Sequence, residues 1–263
     1  KPSLGINNPS TDQAQFSLRT EWQRILPPGT NANANASWQA MLQAARVTNL
    51  WSLPEFRQYC RPFAPEAAGP QPALILSIPG TSINSGRNLF GWPLAAQDFS
   101  YDPSEYSTRI RSVAVWFTGY DGDTLTRSPR VYLVPVGADV LRAADAQDFT
   151  SRTWQVVEQK IPIPFPSATS TSGSWLADTL AITDQFADRA HHSAFRAYPD
   201  NGANAAQYNR STRLFGRSVA NTRWLLIIPG AYLNADPDAG LDSFIQSVQD
   251  VKLDFQTYSA SGN

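Results

Sequence analysis

Few residue types in this chain could make or break a covalent bond, and their spacing decides whether they do. Gly216-Arg217-Ser218-Val219-Ala220 has the outline of a nucleophile elbow, in which a serine sits on a sharp strand-to-helix turn with its hydroxyl exposed. In α/β-hydrolase order a histidine must follow the serine to take its proton. Both histidines, His191 and His192, precede it, and Trp224–Ile228 downstream reads as strand. Asp188 with His191-His192 supplies metal-ligand types, but adjacent side chains diverge in helix and strand alike, and no third ligand is evident. Asp121-Gly122-Asp123 and Asp236-Pro237-Asp238-Ala239-Gly240 could give oxygens to calcium. Such a site needs about six to eight, so both segments read as turns, where Asp and Gly accept the required dihedrals. Any two distant acids could converge for glycoside hydrolysis, and nothing singles a pair out. The chain shows no Gly-rich phosphate loop, no HExxH and no basic-aromatic RNA motif. The expected catalytic set, metal set and cofactor are therefore none.

Non-covalent recognition is the better-stocked option. Eight Trp residues invite a sugar-stacking platform. Trp116 and Trp224 lie in expected strands and Trp38 on a helix stripe, where burial is the ordinary role, which leaves Trp92, Trp154 and Trp175 as surface candidates. For contacts with protein, aromatics and arginines in expected loops stand out: Trp92, Tyr106, Arg109, Phe165, Arg217 and Tyr232. Such side chains bury much area at little entropic cost. Ile161-Pro162-Ile163-Pro164-Phe165-Pro166 fixes an extended ribbon ahead of the Ser167–Ser174 stretch. It reads equally as a contact arm or as a rigid crossover between sheets.

The elements that would position these residues follow from composition and period. At 263 residues the chain has length for one large β domain, or one ordinary domain with an appendage, at roughly 150 residues per domain. Charged residues make up only 16% while Pro (20) and Gly (15) are plentiful, a β-rich composition. Lys plus Arg (21) against Asp plus Glu (22) gives a net charge of -1, which argues against nucleic acid or an anionic membrane as partner. One cysteine, Cys60, excludes an intrachain disulfide framework. No apolar run reaches the roughly 18 residues of a membrane span, and residues 1–30 lack the basic-then-apolar order of a signal peptide.

Trp38, Met41, Leu42, Ala45 and Leu50 follow a helical period, predicting a helix over Ser37–Trp51 with Ser37 as N-cap. A shorter helix is expected at Phe16–Leu26, stopped by Pro27-Pro28-Gly29, with Asn31-Ala32-Asn33-Ala34-Asn35 as a loop and a last turn between Pro54 and Pro62. This gives an N-terminal helical segment, 1–65, ahead of a β domain, 66–263. Expected strands are Ala73–Ile78, Ile110–Phe117, Arg130–Val136, Thr153–Ile161, Arg223–Ile228 and Val248–Tyr258. Val251, Leu253 and Phe255 alternate with Lys252, Asp254 and Gln256, predicting one face on the core and one in water. Trp224–Ile228 is apolar throughout, as in a strand covered on both sides. Two packed antiparallel sheets, a jelly-roll-like β-sandwich, satisfy both patterns. There is also an internal echo: Leu74–Gly80 recurs as Leu225–Gly230, and Val113–Phe117 as Val251–Phe255.

At Tyr101-Asp102-Pro103-Ser104-Glu105-Tyr106-Ser107-Thr108-Arg109-Ile110-Arg111-Ser112-Val113 the chain resembles the C-terminal β-rich region of insecticidal toxin-complex (Tc) A subunits. These carry a segment of the type Asp-Tyr-Pro-x-His-Tyr-x-x-Arg-Ile-Lys-Ser-Val before a strand. The helix end at Asn49-Leu50-Trp51 through Phe56-Arg57, then Trp224-Leu225-Leu226 with Ile228-Pro229 and Val248–Leu253, is similar to the family's order over about residues 40–263. Glu105 stands where the family has histidine, 125–166 has no counterpart, and the family's shell and pore-forming helices are absent. The resemblance implies a secreted bacterial, non-catalytic module of a virulence assembly. It implies toxin-complex subunits as partners, a homo-oligomer that would be a pentamer, and contact with a host receptor or glycan. A carbohydrate-binding module remains the alternative.

Overall fold

The computed structural model describes residues 10–59, 69–80, 86–102, 104–127, 129–143, 151–155, 165–166, 168–170, 192–193 and 217–261. Its strands are β1 (Ser10–Ser17), β2 (Arg46–Val47), β3 (Ala73–Gly80), β4 (Glu105–Thr118), β5 (Arg130–Arg142), β6 (Ser151–Gln155), β7 (Phe165–Pro166), β8 (Ala168–Ser170), β9 (His192–Ser193), β10 (Asn221–Pro229) and β11 (Asp250–Ser261). The helices are α1 (Ala32–Ala44), α2 (Pro54–Tyr59) and α3 (Pro237–Ser247). The fold is mainly β. One sheet runs β1-β11-β4-β8 with β9 also on β4, and the other β2-β3-β10-β5-β6 with β7 also on β5. All pairings are antiparallel except that of β4 with β8.

The uninterrupted apolar run of β10 sets the layers. Trp224, Leu226 and Ile228 join Val115, Phe117, Leu253 and Phe255 of the other sheet in the main core, with the Trp224 and Phe255 rings 5.5 Å apart. Leu225 and Ile227 point the other way, into a second cluster with Leu50, Phe56, Tyr132 and Val134. Each such side chain, fully buried, contributes about 1.5–3 kcal/mol, so neither face of β10 can be left in water.

The internal echo acquires a geometric meaning. Its two members in one sheet, β3 and β10, pair with each other, and so do its members in the other sheet, β4 and β11. Leu76 pairs with its own echo partner Leu226, and Val115 pairs with Leu253. In each sheet, then, the antiparallel register sets one echo residue opposite its counterpart.

The N-terminal part differs from the helical expectation. Residues Phe16–Leu26 do not form an α-helix. Ala14 and Phe16 alternate with Gln13, Gln15 and Ser17, and this period of two places β1 antiparallel beside β11. A π-helical turn, Leu18–Trp22, follows, with the Ser17 hydroxyl accepting from the Thr20 N–H at 3.0 Å. Phe16 meets the rings of Phe90, Phe99 and Phe255 at 5.9, 5.3 and 6.1 Å. Helix α1 begins earlier than expected because Asn31, not Ser37, caps it, accepting from the Ala34 N–H at 2.7 Å. The Asn-Ala repeat read as a loop is its first turn. It ends at Ala44, and Arg46–Val47 leaves as β2 on β3. Trp38 and Leu42 carry α1 onto the main core, and Trp38 Nε1 donates to the Val248 carbonyl at 2.9 Å.

Two further differences concern β11 and α3. Asp254, expected in water, is fully buried, because β1 lies alongside and Gln13 and Gln15 donate to its Oδ2 at 2.5 and 3.2 Å. The segment from Asp236, expected as a turn, opens helix α3 instead: Asp236 caps it, Pro237 opens it, and Leu241, Phe244 and Ile245 form its buried face. The second half of the Thr153–Ile161 strand, Cys60, Pro62 and most of the Ile161–Pro166 ribbon lie outside the described residues. Among the described residues no helix is long and apolar enough to cross a membrane.

Because α1 shares the core of both sheets, truncating it must be felt by the whole unit. Leu42→Ala is expected to lower the unfolding free energy by about 2–5 kcal/mol. Urea denaturation followed by far-UV and tryptophan signals checks this, and the two probes should move together.

Candidate interaction site

The groups best suited to covalent chemistry are engaged internally. Ser218 is buried, its hydroxyl donating to the Val140 carbonyl at 2.5 Å and accepting from the Ala220 N–H at 3.1 Å. Beside it a cavity of about 20 Å³, lined by Tyr101, Glu105, Thr108, Arg142 and Ser218 among others, has room for one water molecule and not for a substrate. Asp121 accepts from Asp123 N–H and the Thr124 hydroxyl at 3.0 and 2.7 Å, which is turn chemistry. Asp236 accepts from the N–H groups of Asp238 and Ala239 at 3.1 and 3.2 Å as a helix cap.

The contact candidates named from sequence scatter. Arg217 is a correction: it is 7% exposed, and its guanidinium grips Asp139 through two hydrogen bonds of 2.7 and 3.0 Å. Asp139 is itself buried opposite Asn221 and needs that counter-ion, so the arginine faces inward. Tyr106 and Arg109 are half-buried on β4, opposite Ala260 and Tyr258. Tyr232 packs against the second core cluster. The backbone of Phe165 pairs with Val131 and that of Trp154 with Asp139, but their side chains, and all of Trp175, Asp188, His191 and Gly216, lie outside what is described. Among the named residues whose side chains are described, Trp92 is the one prominently exposed.

Trp92 (48% exposed), Leu26 (51%) and Leu94 (38%) are the large apolar side chains that remain open among the described residues, and they share one frame. Leu89 and Phe90 anchor the loop of residues 86–99 in the core. Asn88, itself buried, organises it: its Oδ1 accepts from the N–H groups of Phe90 and Trp92 at 3.1 and 3.0 Å. Its Nδ2 donates to the Glu21 carbonyl and Asp98 Oδ2, both at 3.1 Å. Trp92 Nε1 donates to the Trp22 carbonyl at 2.9 Å, which fixes the indole plane against residues 22–26. Arg24 closes the frame, donating to both Asp98 oxygens at 2.8 and 2.7 Å and to the Pro93 carbonyl at 2.7 Å. It does so with φ 55°, a left-handed conformation that costs a non-glycine residue about 1–3 kcal/mol and persists only when its surroundings impose it. Burial alone would raise the Asp98 carboxyl, but hydrogen bonds from Arg24, Ala95 and Asn88 outweigh it and hold it below the usual range.

Beneath the frame lie two buried carboxylates. Glu21 Oε1 accepts from the Ser17 N–H at 2.9 Å and Oε2 from the Phe99 N–H at 3.3 Å. Burial pushes its carboxyl up to about 7, with Asp98 and Asp250 adding in the same direction and the two N–H donors opposing. Asp250 accepts from the Ser17 hydroxyl at 2.7 Å and the Arg19 N–H at 3.1 Å, and burial raises it to about 6. The buried Arg19 guanidinium goes to neutral oxygens, those of Leu26, Gln249 and Asn35, at 2.7, 2.9 and 2.7 Å. The sequence signals for this site were Trp92 and the prolines around Leu26 and Leu94. Asn88, Arg24 and Asp98 had none, because each acts across a fold-dependent distance.

The Arg217–Asp139 pair yields a direct test of its internal role. Asp139→Ala leaves a buried guanidinium without its partner and is expected to lower stability by about 3–5 kcal/mol, whereas Asp139→Leu with Arg217→Met should recover most of that loss. The urea midpoints of the two variants and the unaltered chain check it. No family model matches the chain, and no curated protein matches it either.

Proposed function

We propose that this chain is a non-catalytic interaction module, a jelly-roll-like β-sandwich that docks through the fixed face of Trp92, Leu94 and Leu26. The observation that carries the reading is that Trp92 and Leu94 stand open on a loop clasped by Asn88, Arg24 and Asp98, with Leu26 open on the segment that Arg24 ties to it, while Ser218, Arg217, Asp139 and Asp250 are hydrogen-bonded inside. An aromatic held in a fixed plane loses little entropy on contact, as interface hot spots require. At this face Arg24 and Asp98 neutralise each other, and the chain as a whole carries a net charge of -1, so copies of it approach without strong repulsion. The occupant proposed is accordingly another copy of the chain, in a closed homo-oligomer. The resemblance of residues 101–113 to Tc toxin A subunits supports placing that oligomer, a pentamer on this reading, in a secreted bacterial toxin-like assembly whose other subunits are further partners.

A second reading is favoured by one observation. The Trp22 carbonyl holds the Trp92 indole N–H, leaving a ring face set as a sugar-stacking platform would be, which supports a carbohydrate-binding module.

Native mass measurement of the intact chain separates the two. The docking reading expects a discrete oligomer whose dissociation constant rises at least tenfold in Trp92→Ala and Leu94→Asp, with thermal midpoints unchanged. A lone 28.9 kDa species at every concentration overturns it. Glycan-array binding by that monomer, lost in Trp92→Ala, would establish the sugar platform instead.

A further inference from the structure

We infer that the small cavity beside Ser218, where the two sheets meet, is a binding site for one water molecule, held by Glu105 and Thr108 of β4, Arg142 of β5 and Ser218. The site is separate from the Trp92 face and does not depend on docking there.

Its construction starts with an irregularity in β4. Tyr106 pairs with Ala260 and Arg109 with Tyr258, so Ser107 and Thr108 both stand against Ser259, which is a β-bulge. Ser107 takes φ 54° to make it, a left-handed conformation that a serine keeps only when its surroundings impose it. In a regular strand, residues three apart point to opposite faces. Across this bulge Glu105 and Thr108 line the same cavity. The facing walls come from the other sheet: Arg142 of β5, and Ser218 on the segment leading into β10. That segment already bridges the sheets. The Arg217 carbonyl accepts from the Ile110 N–H of β4 at 2.8 Å, and the Ala220 carbonyl from the Val140 N–H of β5 at 2.9 Å.

The polar groups around the space have hydrogen-bonding capacity to spare. Glu105 is only 9% exposed, and none of the hydrogen bonds or ion pairs among the described residues ends on its carboxylate. A carboxylate so placed requires a donor, from protein or from ordered water. The Ser218 hydroxyl gives its proton to the Val140 carbonyl and one lone pair to the Ala220 N–H, which leaves a second lone pair. The Thr108 hydroxyl accepts from Ser259 at 2.9 Å and keeps its own proton to give. Arg142, with one arm on the Asp102 carbonyl at 3.1 Å, makes its wall positive.

A water molecule matches this set, with one proton for Glu105, the other for Ser218, and a lone pair for the Thr108 hydroxyl. About three bonds are usual for a buried water, and a cavity of about 20 Å³ accommodates one. An ion does not match. A cation would lie against the Arg142 guanidinium with few oxygens around it, and an anion would lie against the Glu105 carboxylate. So bound, the water joins the bulge of β4 to the segment entering β10. The strained Ser107 then has a physical purpose, because the bulge delivers a carboxylate and a hydroxyl to the same molecule.

Oxygen-17 magnetic relaxation dispersion of the intact chain, which counts long-lived internal waters, tests this. Glu105→Met, which fills the space with an apolar side chain, should lower the count by one, and an unchanged count overturns the site. If that variant fails to fold, a high-resolution crystal structure of the unaltered chain decides, from crystals grown in sodium chloride and in rubidium chloride. A density peak within about 3.2 Å of the Glu105 carboxylate and of the Ser218 and Thr108 hydroxyls, with no anomalous signal from rubidium, supports the water. A rubidium signal there overturns it, and so does a Glu105 carboxylate paired directly with Arg142 across a closed space.

Discussion

The constraint on which the structure depends is that β10 is apolar on both faces and can be left to water on neither. One face is closed by the sheet containing β11 and β4, the other by the small cluster around Phe56 and Tyr132. β4 in the first covering, and Leu50 and Phe56 in the second, lie far from β10 in sequence, so its closure is long-range. β1 and α1 fit this scheme: they extend and plug the β11 side, with Phe16, Leu18, Trp38 and Leu42 all in the main core. Helix α3 closes the same core from the C-terminal side through Leu241 and Phe244.

What was legible in the sequence was whatever a local period states. The continuous run at Trp224–Ile228 and the strict alternation at Val251–Phe255 announced two sheets, and five of the expected strands appear with ends extended by pairing. What was illegible depended on neighbours. Phe16–Leu26 holds enough helix-forming residues to suggest a helix, but its first part alternates and β11 offers it an edge, so pairing prevails over propensity. Asp254 obeys its alternation in direction and still is not wet, because two glutamines from β1 stand over it. Helix α3 carries an Asp-Pro start and a helical apolar face, but Asp-Pro-Asp-Ala-Gly is equally the composition of a turn. At the site, Trp92 was visible as an aromatic flanked by Gly and Pro. Arg217 looked the same by type, and only the buried Asp139 opposite decides that it faces inward.

The polar interior of this protein concentrates where the N-terminal turn, the loop of residues 86–99 and the start of β11 meet. A buried carboxylate is tolerated only when donors converge on it, and here they do: Ser17 alone serves Asp250 through its hydroxyl and Glu21 through its N–H. The arrangement differs from the Arg217–Asp139 pair, where opposite charges meet directly at 2.7 Å. The two clusters tie different parts of the fold: one fixes the segment before β10 to β5, and the other is a joint between the end of β1, the loop of residues 86–99 and the start of β11.

That joint bears on why a large aromatic is left exposed above it. Isolated exposed apolar side chains are ordinary and need no explanation, and a floppy tryptophan on a surface loop would be one more of them. Trp92 is different because its indole N–H, its main-chain N–H and its main-chain carbonyl are all bonded within the frame, and because Arg24 accepts a strained backbone to complete that frame. Local strain persists where surrounding structure over-determines it, and it concentrates at binding and switching sites. A sequence under selection for stability alone would relieve it with glycine at position 24, yet the guanidinium that clamps Asp98 and Pro93 requires a side chain there. The strain and the clamp cannot be separated, and this supports the docking proposed for the Trp92 face.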